Sequence, residues 1–118
     1  MVTNPKRKNA NRDTAGALEI GDDLAITKTT RRAAGAGTWV IGTLNGHRFD
    51  GLVFPEHAER PDFELGDSRI SKLWIKRLVD GNTVVNFDRG WDIRPTTKTG
   101  AAIVDFLAAG LAEHTYGK

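Results

Sequence analysis

From residue 38 the order of apolar and polar side chains reads as strands. Residues 38–44, Thr-Trp-Val-Ile-Gly-Thr-Leu, are β-branched and aromatic for most of their length, the composition that suits a pleated, half-buried surface. Asn45-Gly46 follows. A type I′ hairpin turn needs positive φ at both central positions, and this dipeptide tolerates it best. The chain then runs back over residues 47–54 and is stopped by Pro55. A two-residue turn fixes the register, with Leu44 opposite His47, Gly42 opposite Phe49, Val40 opposite Gly51 and Trp39 opposite Leu52. Phe49 then lies over Gly42 and Val40 over Gly51, so each strand glycine is covered from across the ladder.

A second hairpin follows a charged loop, residues 56–67, that contains Pro61 and Gly66. Residues 68–79 read as a long third strand and residues 83–88 as a fourth. Between them Asp80-Gly81-Asn82 supplies the turn, with either Asp80-Gly81 or Gly81-Asn82 as its centre. Arg89 to Pro95 leads out to a helix that begins near Thr97 or Lys98 with a threonine as its cap. Ile103, Phe106, Leu107 and Leu111 fall on one helical stripe. Gly110 weakens that helix by about 1 kcal/mol relative to alanine and offers a close approach to the sheet. The expected fold is α+β: a four-stranded antiparallel sheet of two hairpins, then a C-terminal amphipathic helix.

Residues before 38 carry a different pattern. Residues 1–17 hold few large apolar side chains, too few to offset the entropy of ordering them, and read as a disordered basic segment. Leu18, Ile20, Leu24 and Ile26 form a small apolar cluster, and residues 23–27 alternate weakly enough for a short strand. Ala33-Ala34-Gly35-Ala36-Gly37 reads as a flexible linker. The expected division is a flexible basic segment and linker, 1–37, and a single α+β domain, 38–118.

Charge sharpens this division. Residues 1–32 carry seven basic and four acidic side chains, whereas residues 33–118 carry ten and eleven, so the net +2 of the 118-residue chain arises in its first third. The expected domain is nearly neutral, unlike a domain built around nucleic acid. The chain has no cysteine, which removes disulfides, thiolate catalysis and Cys-based zinc sites and agrees with a cytoplasmic location. No apolar run approaches the roughly 20 residues of a membrane helix. The polar, basic start is not a secretory signal.

The third strand is apolar on both faces, with Leu73, Ile75 and Val79 on one and Trp74 and Leu78 on the other. In the first strand Val40 and Leu44 oppose Trp39 and Ile41 in the same way. One helix covers one face. The other must be covered by the N-terminal segment, a second copy of the chain or a partner, and this is the physical reason to expect a binding role.

Three groups are candidates for that role. Arg89-Gly90-Trp91-Asp92, with Asn86, Asp88 and Arg94, is either a structural crossover in which Trp91 plugs the core edge or a site where Arg89 and Trp91 meet a ligand; the crossover is the simpler reading. Arg69, Lys72, Lys76 and Arg77 surround Trp74, and Lys72, Trp74 and Lys76 share one face. That set suits a nucleic-acid backbone and a stacked base, or a strand edge whose lysines deter pairing. Lys6-Arg7-Lys8 with Arg12 suits a nucleic-acid arm or a solubilising tail. Glu56, His57, Glu59 and Asp62 have no metal-ligand spacing. His47 beside the turn, His57 in the loop and His114 at the helix end form no nucleophile–base pair. No phosphate-binding glycine loop is present, since Gly35-Ala36-Gly37 precedes a strand. The expectation is no enzyme, no cofactor and no metal.

Trp39-Val40-Ile41-Gly42, Gly46-His47-Arg48-Phe49, the run from Ser68 to Ile75 with its Ser-Lys-Leu-Trp, and Asn86-Phe87-Asp88-Arg89-Gly90-Trp91-Asp92 together resemble a family of small proteins of unassigned activity encoded by phages and other mobile elements. The resemblance covers about half the chain. It departs in the loop before Ser68, where Glu64-Leu65-Gly66-Asp67 replaces a glycine-richer turn. It implies an accessory product and no reaction. The functional expectation is a small non-enzymatic module that binds and modulates, for instance inhibits, a host protein or defence complex, or that forms a homodimer. The alternative is a nucleic-acid-binding module using the basic arm and the Lys72-Trp74-Lys76 face. The binding candidates are Arg69, Lys72, Trp74, Lys76, Arg89 and Trp91, with no membrane partner.

Overall fold

The hairpin turn at Asn45-Gly46 takes positive φ at both positions, 49° and 73°, and every pair expected across it forms: Leu44–His47, Gly42–Phe49, Val40–Gly51 and Trp39–Leu52. It joins two of the six strands in a computed structural model that describes residues 20–117. The strands are β1 (Ala25–Arg31), β2 (Thr38–Leu44), β3 (His47–Val53), β4 (Ile70–Arg77), β5 (Thr83–Asp88) and β6 (Trp91–Ile93). They form one antiparallel sheet in sequential order. A single helix, α1 (Lys98–Tyr116), follows.

The α+β class and the C-terminal helix agree with the sequence, but the sheet has six strands where four were expected. For β1 the sequence predicts at most a short strand, residues 23–27, in a flexible segment. It pairs along its length with β2, so residues 20–37 belong to the fold, and 33–37 is the β1–β2 loop, not a linker. The expectation of disorder for residues 1–17 lies outside the described residues. β1 escaped detection because all but one of its side chains, Ile26, are exposed. An edge strand with one open side has no buried face to write an alternating pattern. Its Thr, Lys and Arg side chains suit an edge that avoids further pairing. β6 was hidden by its length of three residues; Arg89 and Gly90, at φ 52° and 141°, reverse the chain into it.

The third strand of the sequence reading, 68–79, is shorter than expected. Val53 pairs with Ile70 and Leu52 with Lys72, which leaves Ser71 as a bulge, the device by which a strand re-aims its side chains. At the other end neither two-residue turn forms. A longer loop is closed by Arg77 N–H to the Asn82 carbonyl at 2.8 Å. Asp80 accepts from Asn82 N–H and from the Arg77 guanidinium. Val79 therefore leaves the core face on which it was expected and is 87% exposed, with Leu78 at 51%.

One face of the sheet carries Val40, Leu44, Phe49, Val53, Leu73, Ile75, Val85 and Phe87, all buried. Against it α1 lays Ile103, Val104, Leu107, Leu111 and Ala112. Thr97 caps the helix, its Oγ1 accepting from Gly100 N–H at 2.9 Å, and Gly117 ends it in the left-handed region. The close approach falls at Gly51, where a Cβ would stand 3.3 Å from Leu111 Cδ2, and not at Gly110, where a Cβ would meet nothing. The helix end is latched to the sheet by Tyr116, whose hydroxyl donates to the Val53 carbonyl at 2.9 Å. That hydroxyl also lies 2.9 Å from the Thr38 hydroxyl.

Candidate functional site

The second face of the sheet has no helix over it. Following the register across the strands, one row reads Thr30, Trp39, Leu52, Lys72 and Asp88, and the next reads Lys28, Ile41, Asp50, Trp74 and Asn86. A third joins Thr43, Arg48, Lys76 and Thr83. Lys72, Trp74 and Lys76 thus share a face as expected, and Trp39, Ile41, Arg48 and Asp50 join them. These last were not among the expected site residues, although the Asn45-Gly46 register already places Trp39 and Asp50 on one side of that hairpin.

This face is mixed, not bare. Leu52 is only 2% exposed, because the β1–β2 loop folds over it: a Cβ on Gly37 would stand 3.2 Å from Leu52 Cδ1. Trp74 is half-buried and donates its indole N–H to Thr83 Oγ1 at 3.1 Å, and the Lys76 ammonium lies 5.6 Å from its ring centre. Arg48 grips Asp50 through two hydrogen bonds, and Lys72 reaches Asp88 at 3.7 Å. The side chains of this face therefore cover much of the apolar surface that the sequence assigned to a partner. Two hollows stay accessible, one of about 480 Å³ along Lys28, Ile41, Thr43 and Arg48, and one of about 270 Å³ bordered by Trp39 and Trp74, with Asp50, Lys72, Asn86 and Asp88 around it.

The other candidates fall elsewhere. Trp91 packs edge-on against Phe87, ring centres 5.2 Å apart, and the Arg94 guanidinium lies 5.4 Å from its ring centre. Trp91 is partly buried against the core edge, paired with Phe87 and so on the helix side of the sheet, not on the face of Lys72, Trp74 and Lys76. Arg69 does not stand beside Trp74. It adopts φ 63°, and its Nη1 donates to the Pro55 carbonyl. Arg89, at φ 52°, donates its N–H to the Ser71 carbonyl at 2.8 Å. Both arginines line a second cavity, of about 360 Å³, whose walls include Phe54, Phe63, His57, Glu64 and Ser71.

At that cavity Glu64 is buried, and its Oε2 lies 2.7 Å from His57 Nδ1 while Oε1 accepts from Ala58 N–H at 2.7 Å. Burial pushes this carboxyl up, but the hydrogen bonds from Ala58, His57 and the Arg69 backbone bring it to the low side of its ordinary value. The pair holds the imidazole by one nitrogen. His47 plays no part: it is buried on the helix face, with Nδ1 donating to the Asn45 carbonyl at 2.6 Å. Among the described residues no three histidine or acidic side chains converge as a metal ion would require, and no helix is long and apolar enough to cross a membrane.

Residues 38–112 match the model of the family described as a domain of unknown function, DUF7678, and the chain belongs to that family. The matched span runs from the first residue of β2 into the last turns of α1, leaving β1 outside it. No curated protein and no solved structure matches the chain.

Proposed function

We propose that the protein is a small non-enzymatic binding module that takes single-stranded nucleic acid on the open face of its sheet. The observation that carries this reading is the hollow between Trp39 and Trp74 with Lys72 at its side and Lys76 against Trp74. Neither indole is needed to fill the helix-covered core. A flat base slots between or against such rings whatever its sequence, and cations beside the ring meet the phosphates. Asn86, Asp50 and Asp88 offer hydrogen-bonding groups to a base edge. The ion pairs already on the face, Arg48–Asp50 and Lys72–Asp88, are open to solvent, which screens them. Re-aiming their cations toward phosphate costs little.

The test is titration of the full chain with a mixed single-stranded oligonucleotide, read by tryptophan fluorescence at low and moderate salt. The expected result is quenching and an affinity that falls steeply as salt rises. Trp74→Ala combined with Lys76→Ala is expected to abolish the signal with the fold intact. No binding at low salt, or full binding by the double variant, would remove the reading.

A second reading rests on a different observation, the exposed Leu78-Val79 pair in the β4–β5 loop. An adjacent apolar pair at a loop tip suits the surface of another protein. It would serve a phage or mobile-element accessory protein that holds a host protein or defence complex. Its mark is a protein complex that survives moderate salt and is lost in Leu78→Ser with Val79→Ser.

A further inference from the structure

The sequence flagged the 56–67 loop and the 86–94 crossover separately; the fold brings them to the two sides of one cavity. Phe54, Pro55, Ala58 and Phe63 give it apolar walls, and Arg89 and Ser71 also line it. Phe63 is 38% exposed, and the guanidinium groups of Arg60 and Arg89 lie 4.9 and 5.9 Å from its ring centre. The backbone here is set with unusual care. Two non-glycine residues, Arg69 and Arg89, hold left-handed φ, a conformation that costs energy and collects at functional sites. Between them Ser71 is bulged out of β4. A buried carboxylate, Glu64, has its oxygens occupied by His57 and backbone N–H groups. It aims the imidazole, and with Glu56 it places negative charge in the lining beside Arg69 and Arg89.

We propose that this cavity binds a small organic acid: a flat apolar body with one carboxylate. The body fits between Phe54 and Phe63. The carboxylate meets the planar fork of Arg89, with the His57 imidazole and the Ser71 hydroxyl at the same rim. A guanidinium–carboxylate pair of this kind is bidentate and directional, and apolar walls with a few placed polar groups are the usual build of a ligand cavity of this size. Glu56 lines the mouth, and Glu59, Asp62 and Asp67 lie on the same loop. The field around the site is therefore not cationic, and recognition comes from contact, not from long-range attraction. This separates the site from the open face. Asp88 stands between the two, 3.7 Å from Lys72 and 3.9 Å from Arg89, yet the binding modes differ in their response to salt.

The experiment follows backbone amide shifts of the full chain on titration with 2-naphthoate, with 2-naphthalenemethanol as its neutral match and inorganic phosphate as a bare anion. The expected result is saturable shifts confined to residues lining the cavity, with the neutral compound at least about tenfold weaker. Phosphate alone produces no such shifts. Arg89→Asn removes the guanidinium while keeping a residue that tolerates left-handed φ, and weakens naphthoate binding about tenfold or more. Trp74→Ala with Lys76→Ala leaves it unchanged, as does a moderate rise in salt. Equal binding of the neutral compound, undiminished binding by Arg89→Asn, shifts spread outside the cavity, or no binding of naphthoate would each overturn the proposal. None of these depends on whether the open face takes nucleic acid.

Discussion

The two faces of this sheet are written by alternate residues of the same strands and meet opposite fates. On one, Val40, Phe49, Leu73 and Ile75 lie under α1 and are lost to solvent. On the other, Trp39, Asp50, Lys72 and Trp74 stand at the neighbouring positions and stay within reach of solvent. The covered face uses small groups where the helix must come close, as at Gly51 under Leu111. The open face uses large amphipathic side chains that shield the sheet by lying across it. Stability is concentrated on the first and recognition is proposed on the second. Nearly equal hydrophobicity along the sequence can therefore conceal two different jobs.

The sharpest way to break the comparison is a pair of truncations. Phe49→Ala empties a site that is 0% exposed and is expected to cost about 3–5 kcal/mol, enough to unfold much of the population. Trp74→Ala removes a larger side chain from the open face and is expected to cost far less, because that side chain stays partly exposed and lies outside the helix-covered core. Denaturant unfolding of the two variants decides the matter, and equal losses would show that the open face is core.

Next in size is Gly42→Ala. A Cβ there would stand 2.5 Å from the Ala25 carbonyl oxygen and 2.9 Å from the Phe49 ring, so β1 or Phe49 must move. The expected loss is about 1–3 kcal/mol. Amide exchange should speed up in β1 while the β3–β4 ladder stays protected. Tyr116→Phe removes the hydroxyl that joins α1 to Val53 and Thr38 and is expected to cost about 1 kcal/mol, read as a lower denaturant midpoint with the slope unchanged. Gly110→Ala acts in the other direction. With nothing near the added methyl, it should stabilise by up to about 1 kcal/mol, measured as a rise in Tm.

The smallest effect is pH-dependent. Glu64 is held below its ordinary value of 4.5, so its carboxylate contributes stability that is fully present above that value and is lost as the pH falls through the lower folded-state value. Unfolding curves from neutral to acid pH should show this slope, and Glu64→Gln should flatten it.

The central hairpin could be read residue by residue, since the Asn45-Gly46 turn and a period of two leave one register that buries Val40, Leu44 and Phe49 together. The helix could be read from Thr97 and the Ile103–Leu107–Leu111 stripe. β1 could not, because Ala25–Arg31 buries almost nothing and wins its place through backbone pairing with β2. Nor could the Ser71 bulge, which shows only when Leu52 and Val53 are seen to skip a residue of β4. The site residues divide along the same line. Lys72, Trp74 and Lys76 share a face by parity alone. Arg69 and Arg89 lie twenty residues apart and meet only at the cavity that closes around Phe63.

Local chemistry in the sequence thus determined the turn, the register of β2 against β3, the helix with its cap, and which side chains of a strand face the same way. Turn geometry, strand alternation and helical period act over a few residues, so a short stretch of chain specifies them. Tertiary structure alone decided that two further strands complete the sheet, that Leu52 is covered while Trp39 and Trp74 border a hollow, and that His57, Glu64 and Arg89 line one cavity. Those outcomes depend on which distant segments exclude water from one another, and that is set by how the whole chain packs.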